Sequence, residues 1–307
     1  MSLKKYLNFK SLLIPEWCCA IRFNEDNNVF VLDSTKTEFT ILNNSYRYWT
    51  ADPFLFKNND KYYLFFEAYD RLKRKGVIGF REISKHSFGK INIIYQNNYH
   101  LSYPFIYREN NDIYILPESC NSGELFRLRC IDFPYKWEKE KIIANERLLD
   151  TTLFDYKNRR YYISQRAGFG AFDRVDLFYD DDNGIFTECK NNPVKVDVSS
   201  ARGAGKIFNY KDKLIRPSQD CGKFYGEKLN FNEVKSITES SYEEKLLKTV
   251  SVSDIKVEQK RNLKKHDIIG IHTYNKLDNI EVIDLKTANN FNLFNLIGAF
   301  VKRIKNV

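Results

Sequence analysis

The chain has 307 residues, 43% of them hydrophobic and 15% aromatic, which is ample for a core and excludes global disorder. The formal charge of +9 suits acidic partners such as anionic lipid, sugar nucleotides or charged glycans. The basic residues are dispersed over turns and no nucleic-acid motif is present, so no nucleic-acid partner is expected.

At the N-terminus, Leu12-Leu13-Ile14 is stopped by Pro15-Glu16. No signal peptide forms, no apolar run reaches the length of a membrane span, and a cytoplasmic protein is expected. Residues 14–45 hold three short apolar stretches, at 20–23, 29–32 and 39–42, that read as strands. Ala51-Asp52-Pro53-Phe54-Leu55-Phe56 and Tyr62-Tyr63-Leu64-Phe65-Phe66-Glu67, joined by a polar turn, then form a hairpin. The unit returns at 103–118, at 150–165 and at 205–220, with a fainter fifth copy in Gly270-Ile271-His272-Thr273-Tyr274 and 280–283. A strand repeat of roughly 50 residues is the period of propeller blades. The expected fold is all-β, a five-bladed β-propeller over residues 1–286. The last blade has too few strands of its own, so the N-terminal strands are expected to close the ring and remove its open edge. The charged segment 230–265 departs most from the repeat. It reads as an insertion or lid with a helix at 242–248. Residues 287–307 form an amphipathic C-terminal helix, with Leu293, Phe294, Ile297, Phe300, Val301 and Ile304 at helical spacing and Lys302, Arg303 and Lys305 in the last turn. Asn292 and Asn295 fall opposite the apolar stripe and are expected to stay wet.

The six cysteines, Cys18, Cys19, Cys120, Cys130, Cys189 and Cys221, show no Cys-x-x-Cys spacing. Reduced thiols are expected, with no metal site and no cofactor. In a propeller the innermost strands line a channel, so equivalent repeat positions converge. Asp52 and Asp150 share one slot, each three residues before a Leu-Phe pair, and are the candidate acid/base pair. Glu67, Glu118, Gln165 and Gln219 close the second strands of their blades, and Glu118 is the candidate to tune or protonate the pair. Arg202 and Arg216 are candidates to hold a phosphate or carboxylate bidentately, or else to pair internally with one of the acids. His100, Tyr103, Gln219, Asp220 and Tyr225 complete a candidate polar and aromatic sugar-binding set.

Several of these segments occur together in one known family. His100-Leu101-Ser102-Tyr103-Pro104-Phe105, Leu116-Pro117-Glu118-Ser119, Asp150-Thr151-Thr152-Leu153-Phe154, Asn192-Pro193-Val194, Ser200-Ala201-Arg202 and Arg216-Pro217-Ser218-Gln219-Asp220 with Tyr225-Gly226 resemble the N-terminal domain of glucosamine inositolphosphorylceramide transferases. The likeness spans about residues 17–274. It implies a five-bladed propeller similar to the arabinanase and xylosidase glycosidases, and stand-alone bacterial versions in surface-polysaccharide assembly. The plant proteins carry a separate glycosyltransferase domain, which is not expected within these 307 residues, so a partner glycosyltransferase is an expected associate. The resulting expectation is a carbohydrate-active enzyme taking a glycan or sugar nucleotide, and most of all a glycosyl transferase. The alternatives are a glycoside hydrolase or phosphorylase, and a non-catalytic glycan-binding scaffold. Residues 287–307 are expected either to pack on the propeller or on a protein partner, or to meet an anionic membrane surface on the cytoplasmic side of the inner membrane.

Overall fold

The computed structural model describes residues 14–24, 30–34, 37–168, 171–258, 268–290 and 292–305. Strands β1 (Ile14–Phe23) and β2 (Thr37–Ile41) come first. Blade one is β3 (Tyr48–Asn58), β4 (Lys61–Asp70), β5 (Lys75–Ile83) and β6 (Asn92–Tyr95); blade two is β7 (Ser102–Glu109), β8 (Asp112–Glu118), β9 (Leu125–Asp132) and β10 (Lys136–Ala144). Blade three is β11 (Leu148–Tyr156), β12 (Arg159–Arg166), β13 (Arg174–Asp180) and β14 (Phe186–Glu188), with β15 (Lys195–Val196) on β13. Blade four is β16 (Phe208–Tyr210), β17 (Lys213–Asp220), β18 (Lys228–Ile237) and β19 (Tyr242–Val250). The fifth sheet adds β20 (Ile255–Glu258), β21 (Ile268–Leu277) and β22 (Ile280–Asn290) to the first two strands, in the order β20-β2-β1-β22-β21. The ring therefore closes through β1, which runs antiparallel to β22 from Ile14↔Asn290 to Phe23↔Ile280.

Local chemistry explains the repeated hairpin. The first hairpin of every blade turns through two residues, and Asn59, Asn110, Lys157, Asn158, Lys211, Asp212 and Asp278 all take positive φ there. That is the twist-compatible turn of short hairpins, which Asn and Asp tolerate best. Along β4, alternate side chains serve two interfaces. Tyr63 and Phe65 pack with Phe54, Phe105 and Trp137 towards blade two. Leu64, Phe66 and Ala68 pack with Ile21, Leu42 and Val282 towards the closing blade. Strands buried on both faces read as continuous apolar runs because the core lies between blades.

A second repeated device positions the mouth of the channel. The innermost strands slip register between Ala51 and Phe54, between Ser102 and Phe105, between Leu149 and Thr152, and between Ile271 and Tyr274. Asp52 (φ 49°), Tyr103 (φ 42°) and Asp150 (φ 46°) take left-handed backbone inside these bulges. A bulge unpairs a residue and re-aims its side chain. Pro53 and Pro104 fit there because no ladder hydrogen bond is asked of them. Tyr103 fills the axis. Its hydroxyl shares a hydrogen bond with Thr152 Oγ1 (2.7 Å), accepts one from the Gly205 N–H (2.8 Å) and donates to the Gly205 carbonyl (3.2 Å).

Three expectations need correction. Residues 242–248 are not helical and belong to β19, paired with β18. Tyr242 and Glu244, two apart, both reach Arg216 from that strand, a spacing of two that fits a strand and not a helix. With β20 running parallel to β2, the described part of 230–258 is propeller rather than lid, and 259–267 lies outside the described residues. The stretch at 29–32 is a turn over 31–33 rather than a strand; Val29 is outside the described residues. The tail is a helix, α1 (Leu293–Lys305), but β22 first continues to Asn290, and the helix is seated the other way round. Asn292 Nδ2 donates to the Tyr46 carbonyl (2.9 Å) and Asn295 Nδ2 to Glu16 Oε1 (2.7 Å), so the asparagine face is buried. No helix among the described residues is long and apolar enough to cross a membrane.

Gly205 is the tightest point of this frame. Its φ is 129°, and a Cβ would lie 2.0 Å from the Tyr274 carbonyl oxygen. Gly205→Ala is expected to destabilise the fold by about 2–4 kcal/mol, the range of backbone-clash substitutions. Urea denaturation should show a lower midpoint at unchanged slope, and an unchanged midpoint would contradict this packing.

Candidate active site at the channel mouth

Two ion-pair clusters meet where the bulged strands open. The first joins the closing blade to blade one. His272 takes in β21 the slot that Asp52 takes in β3, inside the matching bulge. Its Nε2 lies 3.2 Å from Asp52 Oδ1, and its Nδ1 lies 2.7 Å from Asp284 Oδ1, close but without hydrogen-bond alignment. Asp284 also accepts the backbone N–H groups of Asp52 (2.9 Å), His272 (3.1 Å) and Thr273 (2.9 Å). Asp52 accepts the Tyr103 N–H (3.1 Å) and the Thr273 hydroxyl (3.1 Å). Burial opposes the charged imidazole, but the Asp284 and Asp52 carboxylates outweigh it and raise the His272 pKa from 6.5 to about 10. The imidazole therefore carries a proton at neutral pH.

The second cluster joins blades two, three and four. Arg202 Nε contacts Asp150 Oδ2 at 2.5 Å, and its Nη2 lies 3.7 Å from Glu118 Oε2. Glu118 Oε2 also accepts the Asp150 N–H at 3.3 Å. The guanidinium carbon sits 5.3 Å from the Phe172 ring centre and 5.4 Å from that of Tyr225. Tyr225 in turn packs edge-on against Trp17 (6.2 Å) and against His272 (5.2 Å), which bridges the two clusters with aromatic rings. Burial, followed by the Asp150 charge, pushes the Glu118 pKa well above the carboxylate range. Burial and then Asp52 do the same to Glu67. His100 accepts the Gly76 N–H on Nδ1 (2.9 Å), which leaves its proton on Nε2, 3.3 Å from Glu67 Oε1; burial lowers its pKa and keeps it neutral. Among the described residues, Glu67 Oε1 is a buried oxygen without a hydrogen-bond partner, and Phe172 and Phe224 are exposed aromatics.

Among the described residues one group could hold a metal ion, Asp52, His272 and Asp284, whose ligand atoms lie within 4.8 Å of one another. The carboxylate oxygens of this group also accept backbone and hydroxyl donors, and metal binding there would displace the imidazole proton.

Of the residues expected from sequence, Asp52, Glu118, Asp150, Arg202, Tyr225 and His100 come together here. The others do not. Arg216 is buried in blade four, with Nε donating to Glu244 Oε2 (2.8 Å) and Tyr242 Oη (3.1 Å) and Nη2 to Glu244 Oε1 (2.9 Å), the internal pairing that was the alternative to a ligand contact. Tyr103 is the axial plug. Gln219 is buried, with Nε2 on the Gly203 carbonyl at 2.8 Å, and Asp220 sits on the rim, paired with Lys228 at 3.6 Å. His272, Asp284, Thr273 and Trp17 were missed. The signal for His272 was its place in the faint fifth repeat, where His replaces the repeated acid. Trp17 joins the site only because β1 closes the ring.

The geometry describes a five-bladed propeller with a buried, aromatic-walled ring of carboxyl groups at one mouth. The glucosamine inositolphosphorylceramide transferase 1 N-terminal family model matches residues 31–285, and the chain belongs to that family. It is 33% identical over 202 residues to glucosamine inositolphosphorylceramide transferase 1 of Arabidopsis thaliana, covering 63% of this chain and 26% of the relative. It is 31% identical over 204 residues to the protein of that name from Oryza sativa subsp. japonica, covering 64% and 27%. The chain thus spans about a quarter of the length of these curated relatives. Among solved structures, the catalytic domain of the Coprinopsis cinerea GH62 alpha-L-arabinofuranosidase aligns with TM-score 0.51 at 9% identity, over 78% of this chain and 90% of that one, a likeness of fold.

The His272 cluster has a pH signature. Its folded pKa lies above the unfolded value, so its stabilisation is complete below about pH 6.5 and is lost progressively as pH rises to about 10. The melting temperature should fall across that window in the native protein, and the fall should be shallower in His272→Gln. Parallel curves would contradict a charged His272.

Proposed function

We propose that the mouth is the active site of a carbohydrate-active enzyme and that its reaction is glycosyl transfer, serving surface-polysaccharide assembly on the cytoplasmic side of the membrane. The observation that carries this reading is Glu118. It is a largely buried carboxyl pushed towards its protonated form, set beside the Arg202–Asp150 pair at the mouth that also holds Asp52. A protonated acid and a hydrogen-bonded carboxylate in one pocket are what acid/base chemistry at an anomeric carbon requires. In this reading Asp52 takes the proton of the attacking hydroxyl as the new glycosidic bond forms. The bond to the leaving oxygen breaks, and Glu118 delivers a proton to that oxygen. Arg202 fixes Asp150 and balances its charge. Tyr225 and the exposed rings of Phe172 and Phe224 offer stacking faces for a sugar. The names of the plant relatives support transfer over hydrolysis. With water as acceptor the same groups would hydrolyse, and a glycan-binding scaffold serving a separate glycosyltransferase would use the rings alone.

The test is a thermal-shift screen with UDP-sugars and oligosaccharides, followed by turnover of the hits by mass spectrometry. Glu118→Gln should keep the ligand-induced shift and lose turnover by at least about 10²-fold, as for removal of a general acid. Its melting temperature at neutral pH should match or exceed the parent's. A carboxyl with a raised folded pKa contributes stability that is lost as pH rises past its unfolded value, and the amide has no such loss. Equal turnover in Glu118→Gln would remove Glu118 from the chemistry. Ligand shifts without turnover in the native chain would identify a binding module.

A further inference from the structure

Helix α1 turns its apolar stripe outward. Leu293 (49% exposed), Ile297 (42%) and Val301 (41%) face solvent, while Asn292 and Asn295 are buried. By helical spacing Phe300 and Ile304 belong to the same stripe, though their side chains lie outside the described residues. The seating is specific. Besides the two asparagine bonds, Phe294 packs on Tyr46 (4.8 Å between ring centres), and Gly298 lets the helix approach so closely that a Cβ would lie 2.2 Å from the Arg71 carbonyl oxygen. Beneath the helix, Arg71 pairs with Glu16 at 2.5 Å, both buried. The contact thus uses the two asparagines and the Phe294 ring, and the apolar side chains of Leu293, Ile297 and Val301 are left over.

The sequence on either side of that face is basic. Residues 287–307 contain Lys302, Arg303 and Lys305 and no acid. Residues 1–13 contain Lys4, Lys5 and Lys10 and no acid, and they lead into β1 at Ile14, which pairs with Asn290 just before α1. The turn after β4 adds Lys73 and Arg74, and β5 opens on Lys75, with Arg74 beside Gly298. A second copy of the chain would bring this charge against itself. Anionic lipid offers a surface of opposite sign to the lysines and arginines and an apolar layer to the stripe, which is the way interfacial helices bind.

Position strengthens the argument. Glu16 and Arg71, on which α1 rests, lie at the strand ends that open onto the mouth: Trp17 touches His272, with ring centres 3.9 Å apart, and the strand leading to Arg71 carries Glu67. We propose that α1 is an interfacial anchor that seats the mouth face of the propeller on an anionic lipid surface. Docked this way, the ring of carboxyl groups faces the headgroups, and the hairpin turns at 59–60 and 110–111 point away. The inference stands on the helix and its charges and does not depend on the sugar chemistry.

The experiment is co-sedimentation of the full chain with phosphatidylglycerol-containing vesicles and with pure phosphatidylcholine vesicles. The comparison is with Leu293→Asp/Ile297→Asp, which alters only exposed positions and should fold. Binding is expected to the anionic vesicles at low salt, to weaken in high salt, and to fall at least about tenfold in the double variant at an unchanged melting temperature. Hydrogen exchange should slow on vesicles at α1 and at 71–75 but not at 59–60 or 110–111. No binding to anionic vesicles at low salt overturns the proposal, as does binding indifferent to the double substitution. A dimer in sedimentation that dissolves in the double variant would identify a second copy as the occupant. A large fall in melting temperature without vesicle binding would show the stripe covered by the chain's own residues. Either result overturns the lipid anchor.

Discussion

The contact between Asp284, His272 and Asp52 is the one on which the rest depends. It sits at the seam where the ring closes, so it joins the strand pair β1–β22 to the first strand of blade one. It also answers a local problem. The bulge at Asp52 takes that residue's backbone N–H out of the ladder, and a buried N–H without a partner is costly. Asp284 supplies the acceptor at 2.9 Å. The carboxylates that satisfy these donors are themselves buried, and the protonated imidazole balances them. Removing one member of a buried ion cluster typically costs about 3–5 kcal/mol, because the charge left behind has no solvent. Fold closure and the placement of a candidate catalytic acid are therefore the same interaction.

Asp52 and Asp150 start from equivalent bulges but end in different surroundings. Asp52 accepts a hydroxyl and a backbone N–H beside an imidazolium, whereas Asp150 is clamped by a guanidinium held between two rings. The carboxyls one strand further out, Glu67 and Glu118, lack comparable donors, and burial drives both towards the neutral form. A single mouth thus holds ion-paired carboxylates beside carboxyls whose pKa values burial raises. Structural ion networks also perturb pKa values. This network leaves the buried Glu67 oxygen without a hydrogen-bond partner, and the same mouth carries the exposed rings of Phe172 and Phe224, which is what supports the proposed site.

The blades were legible because each combines a two-residue turn, a run of apolar residues buried on both faces, and a bulge with a characteristic residue. The same logic found Asp52, Glu118, Asp150 and Arg202. It failed where the repeat varies its chemistry. His272 was hidden because a basic group stands in the slot that Asp52 and Asp150 hold in blades one and three and Tyr103 in blade two, and its meaning comes from Asp284, a residue with no acidic repeat equivalent. Arg216 looked like a ligand-binding arginine, yet Glu244 arrives from a strand whose Tyr242, Leu246 and Leu247 pattern mimics a helix. The tail showed the limit most clearly. Helical spacing gave the two faces of α1, but only the buried Glu16–Arg71 pair, which needs the polar amide of Asn295 above it, decides which face turns inward.

The central claim is that burial and the Asp150 charge hold the Glu118 pKa well above the ordinary carboxylate range in the native mouth. Carbon-13 NMR of the chain labelled at the Glu side-chain carboxyls, with the Glu118 resonance assigned by its loss in Glu118→Gln, measures this directly. The account predicts a titration midpoint well above the ordinary glutamate value of about 4.3, moving down when Asp150 is replaced by Asn, since the Asp150 charge is part of what raises it. A Glu118 resonance that titrates in the ordinary range would contradict the account.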